Sequence, residues 1–262
     1  MAPAKGTYVY CVIAARRRPR VSKKARGLVA MGAVRLLDVE PGLYVAVADA
    51  PLSRYGEAAI NRGLSDLEWV SRAAVSHEAV IESFIGETAV LPMKLFTIFT
   101  SDARALEDIA SQRTRIASLV KRVTNHQEWG VRLVLNRPSA EPASPPVARI
   151  RRANPSGARG AAYLSHKKAL RDATVELASR ARETVAGLYD RLGASSKLAR
   201  RRSASELPAQ GGPLLLDAAF LVPRARAAAF KALTAREARK LSRQGYGMTV
   251  SGPWPPYTFV QD

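Results

Sequence analysis

One cysteine, Cys11, stands in 262 residues. That excludes an intrachain disulfide, and nothing points to an oxidising compartment. Histidine is almost as scarce: His77, His126 and His166 are the whole set. With Cys11 they make just four such ligands in the chain, and no second histidine is spaced to share a metal with His77. Aromatics are 6% of the chain, thin for a protein that stacks nucleobases. Long apolar runs are missing too. The run at residues 214–222 is interrupted by Asp217 and falls far short of the ~18 residues that a membrane span needs. Residues 1–15 do not read as a signal peptide, because the basic cluster at residues 16–26 follows the apolar stretch. The expectation is a soluble cytoplasmic protein.

Acidic residues are also few, 22 Asp/Glu against 41 Lys/Arg, for a net charge of +19. Residues 1–125 hold 18 Lys/Arg and 12 Asp/Glu, a balance of +6, so the remaining +13 lies from His126 onward. A balance of this kind suits nucleic acid, an anionic membrane surface or an acidic protein partner. The hydrophobic content of 47% is that of a globular chain, and the length suits one large or two ordinary domains.

What is present reads as alternating strands and helices. Residues 7–14 are β-branched and aromatic, a buried strand. Residues 33–39 and 43–48 are apolar runs joined by Glu40-Pro41-Gly42, the chemistry of a hairpin turn. Residues 64–87 predict a helix whose stripe is Leu67, Val70, Ala74, His77, Ile81 and Phe84. Residues 89–99 predict a strand with Pro92 at its start or on an edge. Thr100-Ser101-Asp102 caps one helix running to about Asn125. Residues 128–136, 214–222 and 248–251 are further strands. Residues 161–193 and 225–243 are further helices, the first striped by Leu170, Leu177, Ala181, Val185, Leu188 and Leu192.

Two segments predict loops: residues 137–159, rich in proline, and residues 194–213, carrying Arg200, Arg201 and Arg202. On that placement, neutralising the three arginines should leave the fold intact. The fold class is α+β with two domains. Residues 1–125 form an N-terminal α/β sandwich-like unit, and residues 126–262 a C-terminal modified ferredoxin-like domain.

The search for chemistry returns little. Gly245-Tyr246-Gly247 lacks the rest of any phosphate-binding fingerprint, and no nucleophile elbow or metalloprotease motif occurs. His77 falls on the apolar stripe and reads as a packed or interface histidine, with Glu78 pointing away from it. Cys11, inside an apolar strand, reads as an inert thiol. The expectation is a protein that is not an enzyme and takes no cofactor or metal. The basic clusters at Arg16–Arg20 and Arg200–Arg202 keep a second reading open, a basic nucleic-acid-binding module with a ferredoxin-like domain.

The distinctive segment is residues 251–260, which packs Pro253, Pro255 and Pro256 beside Trp254, Tyr257 and Phe259. Proline fixes φ, so the segment is rigid. Trp254 either plugs its own domain or anchors a partner. The reading taken places Trp254 in the core and Tyr257 at the surface beside it.

These pieces, in order, resemble the GvpF/GvpL family of gas vesicle proteins over nearly the whole chain. The matching residues are Tyr8-Val9-Tyr10; Leu67-Glu68-Trp69 leading to His77-Glu78-x-Val80; Val90-Leu91-Pro92-Met93-Lys94 with Thr97 and Phe99; Glu128-Trp129-x-Val131; Ala162-Tyr163-Leu164; Ala219-Phe220-Leu221-Val222; and Gly252-Pro253-Trp254-Pro255-Pro256-Tyr257-x-Phe259-Val260. One departure stands out. Where the family commonly has Phe-Gly-Thr, this chain has Leu95-Phe96-Thr97. The resemblance implies a non-catalytic accessory protein of gas vesicle assembly, located at the gas vesicle and in the cytoplasm. It implies as partners the hydrophobic shell protein and other accessory Gvp proteins during nucleation, with no specific nucleic acid and no membrane. Candidate partner-binding residues are Trp254, Tyr257, Phe259 and Trp69.

Overall fold

Strand β1 (Lys5–Ala14) is buried along almost its entire length, because it is paired on both sides. The structure, a computed structural model, describes residues 4–22, 25–136, 158–202 and 212–261. On one side of β1 lies β3 (Leu43–Pro51), antiparallel, and beyond it β2 (Arg35–Glu40). The β2–β3 turn uses Gly42 at φ 85°, as the Pro-Gly pair predicts. On the other side β1 pairs with β4 (Ala89–Pro92) and then with β5 (Ile98–Phe99). The register of β1 against β3 slips between Val9 and Cys11, at a bulge.

Helices α1 (Leu52–Tyr55) and α2 (Glu57–Gly63) lead into α3 (Leu67–Glu82). Asp66 caps α3 by accepting from the Glu68 and Trp69 amides, both at 3.0 Å. The inward face of α3 runs through Ala73, His77, Val80 and Ile81. Leu67, placed on the stripe by the sequence, is instead 82% exposed. The α3 side chains close over Tyr8, Tyr10 and Ile13 of β1, with Phe84 just past the helix.

The run at residues 89–99 is not one strand. Pro92 lacks an amide and pairing stops there. The chain then turns through Met93–Thr97, with Phe96 at φ 64°, and re-forms as β5. The helix expected from Asp102 to Asn125 also breaks. It becomes α4 (Asp102–Ser111) and α5 (Arg113–Val123), joined by Gln112 at φ −97°, ψ 16°. Ser101 caps α4 as expected, accepting from the Arg104 amide at 3.3 Å.

A second sheet has the order β7–β8–β6–β9. Its elements in sequence are β6 (His126–Leu135), α6 (Ala158–Gly193), β7 (Leu198–Arg201), β8 (Leu214–Pro223), α7 (Ala227–Ser242, entered by a 3-10 turn at Arg224–Arg226) and β9 (Tyr246–Trp254). A final turn of helix, α8 (Tyr257–Val260), follows. The element order of this part is β-α-β-β-α-β, one strand more than the sequence discloses. The added strand, β7, takes Arg200 and Arg201 out of the expected loop. Arg202 is bound as well. Its guanidinium reaches Asp217 at 2.7 Å, and Arg132 reaches the same carboxylate at 3.1 Å. The Asp217 side chain is 4% exposed, so Arg202 partners a buried charge. The proline-rich stretch 137–157 and residues 203–211 lie outside the described residues, as does the side chain of Leu170. Within α6, Ala181, Val185, Leu188 and Leu192 are buried as expected, whereas Leu177 is 51% exposed.

By compactness the chain forms two units. The first takes Met1–Trp129, Leu221–Ala227 and Ser251–Asp262. The second takes Gly130–Phe220 and Ala228–Val250.

Candidate functional site

The interruption after Pro92 shapes an apolar cleft of the first unit. Its walls come from Val12 of β1, Leu91 at the end of β4, and Ile109, Ile116 and Leu119 of the broken α4–α5 pair. Met93 and Thr97 of the turn complete it on one side, and Val260 and Gln261 on another. The cleft encloses about 270 Å³. No carboxylate lines it; its charged members are Lys94 and Arg115, both exposed.

The turn that forms one wall is held from beneath. The Met93 amide donates to the Tyr10 carbonyl at 2.9 Å, and the Val9 amide to the Thr97 carbonyl at 2.9 Å. His77 Nε2 lies 3.1 Å from the Met93 carbonyl, which only accepts, so that nitrogen carries the proton. Nδ1 is then an acceptor for the Tyr8 hydroxyl, 2.7 Å away. The Tyr8 oxygen in turn accepts from the Phe96 amide at 3.3 Å. One direction of donation therefore runs from Phe96 through Tyr8 and His77 to Met93, and it needs a neutral imidazole.

Burial enforces that state by holding the His77 pKa below its ordinary value. Burial also pushes the Tyr8 hydroxyl well up and the Tyr10 hydroxyl up to about 12, so both stay protonated. The Cys11 thiol is raised by burial in the same way, in line with an inert core residue. The pH consequence has a definite sign. The unfolded chain protonates its histidine near its ordinary pKa, and folded His77 does so lower. Stability is therefore complete above about pH 6.5 and declines as pH falls below it. The carboxylates of Asp49 and Asp102, held low by Arg35, report only at more acid pH. Urea unfolding midpoints between about pH 7.5 and 5.5 should fall for the native chain and flatten in His77→Gln. An unchanged slope in His77→Gln would remove His77 from this role.

Phe96 answers the departure noted in the sequence. It holds the left-handed backbone, φ 64°, that glycine would adopt freely. Its ring stacks on Trp69 at 5.0 Å and 15°, an attraction that offsets the conformational cost.

The four residues singled out from sequence occupy different settings. Trp69 is half-buried between Phe96 and Tyr55. Phe259 is 2% exposed. Tyr257 is half-buried against the core around Tyr8 and Tyr10, and its hydroxyl is buried without a hydrogen-bond partner. Burial, with Glu78 and Glu82 nearby, pushes that hydroxyl's pKa up. Trp254 is 37% exposed. The expected pair is thus reversed, with Tyr257 packed inward and Trp254 toward solvent.

The terminal segment is tied down by Glu128, buried, whose carboxylate accepts from the Thr258 amide at 2.7 Å and its hydroxyl at 2.6 Å. Gly252, at φ 114°, passes so close to β6 that an added Cβ would lie 2.8 Å from the Glu128 carbonyl. This fixes where the Pro-Trp-Pro-Pro run leaves the strand. Sequence reasoning did not single out the cleft residues Met93, Ile109, Ile116, Leu119 and Val260. Two of the quoted motifs, Pro92-Met93-Lys94 and Phe259-Val260, nevertheless end in it.

Among the described residues, no group of three His, Cys, Asp or Glu side chains is placed to hold a metal. No helix among them is long and apolar enough to cross a membrane. What the cleft offers is apolar surface with a cationic margin. The family model described as "Gas vesicle synthesis protein GvpL/GvpF" matches residues 6–261. "Gas vesicle protein L" of Streptomyces sp. (strain CB03234) is 30% identical over 226 residues, covering 84% of this chain and 80% of that protein. The crystal structure of the gas vesicle protein GvpF from Anabaena sp. PCC7120 superposes with a TM-score of 0.65 at 15% identity, covering 98% of this chain and 97% of that one. GvpF from Microcystis aeruginosa gives a TM-score of 0.66 at 16% identity, covering 98% and 99%. The chain belongs to the gas vesicle GvpL/GvpF family.

Proposed function

We propose that the chain is a non-catalytic accessory protein of gas vesicle assembly. It works in the cytoplasm and at the vesicle, holding the small hydrophobic shell protein, together with other accessory Gvp proteins, during nucleation. The observation that carries this reading is the cleft: about 270 Å³ of largely apolar surface free of carboxylates, in a chain of a gas vesicle family. A shell subunit that must face gas exposes apolar surface before it is incorporated, and such surface aggregates unless covered. The cleft is wide enough for a few apolar side chains of such a subunit. Trp254, exposed on a rigid segment, supplies a second anchor.

Met93→Glu tests the cleft. Met93 is half-buried at its margin, and its backbone contacts survive substitution. A carboxylate there has to be desolvated by any apolar occupant. Co-purification with the shell protein should fall about tenfold, equivalent to about 1.4 kcal/mol, while the unfolding midpoint holds. Capture by the unmodified chain should persist from about 0.1 to 0.5 M salt, where phosphate-driven binding would collapse. Full capture by a folded Met93→Glu protein rules out this surface.

A further inference from the structure

Helix α7 carries one carboxylate, Glu237, and it is turned inward. Its side chain is 6% exposed and takes Arg191 of α6 at 2.9 Å. The outward face presents Arg236, Arg239, Lys240 and, one residue past the helix, Arg243. These positions are spaced i, i+3, i+4 and i+7, so they form one ridge. All four are exposed, and none has an acceptor among the described residues. Some exposed cations elsewhere do find carboxylates, among them Arg18 with Asp38, Arg72 with Glu68, Arg104 with Glu107, Arg113 with Glu40 and Arg180 with Glu176. With Gln244 the four cations border a shallow basin of about 330 Å³. The helix dipole favours cations in the last turn. It does not remove the mutual repulsion of like charges three and four residues apart, which a partner's carboxylates would reverse.

We propose that this ridge docks an acidic helical segment of a protein partner, with its carboxylates in the same i, i+3, i+4, i+7 pattern. The ridge is one residue wide and, at 1.5 Å per residue, about 10 Å long, so a second helix matches it charge for charge. Three of the four cations are arginines, whose planar forks take carboxylates bidentately. A nucleic-acid strand fits less well. No aromatic ring borders the basin to stack a base. The inference rests on α7 alone and does not depend on shell capture at the cleft.

The test uses the full chain and three fluorescent probes, read by anisotropy at low salt. One is an alanine-rich peptide of about 20 residues with glutamates in the matching stripe. The second has the same composition with its glutamates spread around the helix. The third is an oligothymidylate of about 20 nucleotides. The striped peptide should bind about tenfold more tightly than the spread one. The combined variant Arg236→Gln, Arg239→Gln, Lys240→Gln, Arg243→Gln should lose about tenfold in affinity for the striped peptide, whereas Lys231→Gln, exposed on the same helix, should lose none. Should the combined variant fail to fold, Arg236→Gln with Lys240→Gln should still weaken striped-peptide binding about threefold. Equal binding of the two peptides overturns the proposal, as does an unchanged affinity in the variants. Tighter binding of the oligonucleotide that vanishes in the same variants also overturns it and makes the ridge a phosphate site.

Discussion

Phe259→Ala should destabilise the protein by about 3–5 kcal/mol, the cost of a large cavity in a packed core. Trp254→Ala, in the same short segment, should change stability by less than about 1 kcal/mol. The contrast follows from exposure: Phe259 is 2% exposed and Trp254 is 37% exposed. Phe259 is also held through its backbone, where its carbonyl accepts from Arg122 at 3.1 Å. Urea unfolding of the two variants side by side is the measurement. Trp254→Ala should instead weaken capture of the shell protein, by about 2 kcal/mol if it behaves as an interface hot spot. Comparable destabilisation by both substitutions would show that Trp254 is a core residue after all. A stable Trp254→Ala chain with full capture would leave the residue with no role in either.

The second large effect belongs to Asp217. Two guanidiniums, from Arg132 and Arg202, reach its buried carboxylate. Removing both, as Arg132→Ala with Arg202→Ala, strands that charge and should cost about 3–5 kcal/mol. Arg202→Ala alone should cost less, since Arg132 remains. Arg200→Ala should stay within about 0.5 kcal/mol. Arg201→Ala should lose about 0.5–1 kcal/mol, because its guanidinium lies 4.8 Å over the Tyr189 ring. The expectation that the Arg200–Arg202 triplet is neutral for the fold is therefore revised at Arg202. Equal melting of Arg200→Ala and the double variant would refute the buried network.

Helix α3 of the first unit was legible because its apolar spacing survives in any context. The inward face of α3 is read through His77 and Ile81 directly from the repeat. Leu67 was misplaced because it sits in the first turn, where the cap at Asp66 rather than burial sets the helix. The breaks were not legible. Nothing in residues 89–99 except Pro92 marks a turn, and a phenylalanine is a poor advertisement for left-handed backbone. It is tolerated through contact with Trp69, distant in sequence. Gln112 parts α4 from α5 without proline or glycine. Strand β7 hides behind its charges, since Leu198-Ala199-Arg200-Arg201 at a sheet edge shows no apolar alternation. The terminal segment has no period at all, so the inward Tyr257 and outward Trp254 could not be told apart. The cleft was out of reach for a related reason. Its walls come from four stretches of chain that only the fold brings together.

The division of the chain between its two units bears on how the protein is made. Residues 251–262 pack in the unit that begins at the N-terminus, after more than a hundred intervening residues. On a ribosome adding about 5–20 residues per second, the first sheet emerges several seconds before Tyr257, Phe259 and Val260 exist to cover it. During that interval the surface beneath them is bare. The first unit can therefore complete its core only after the second unit has been synthesised.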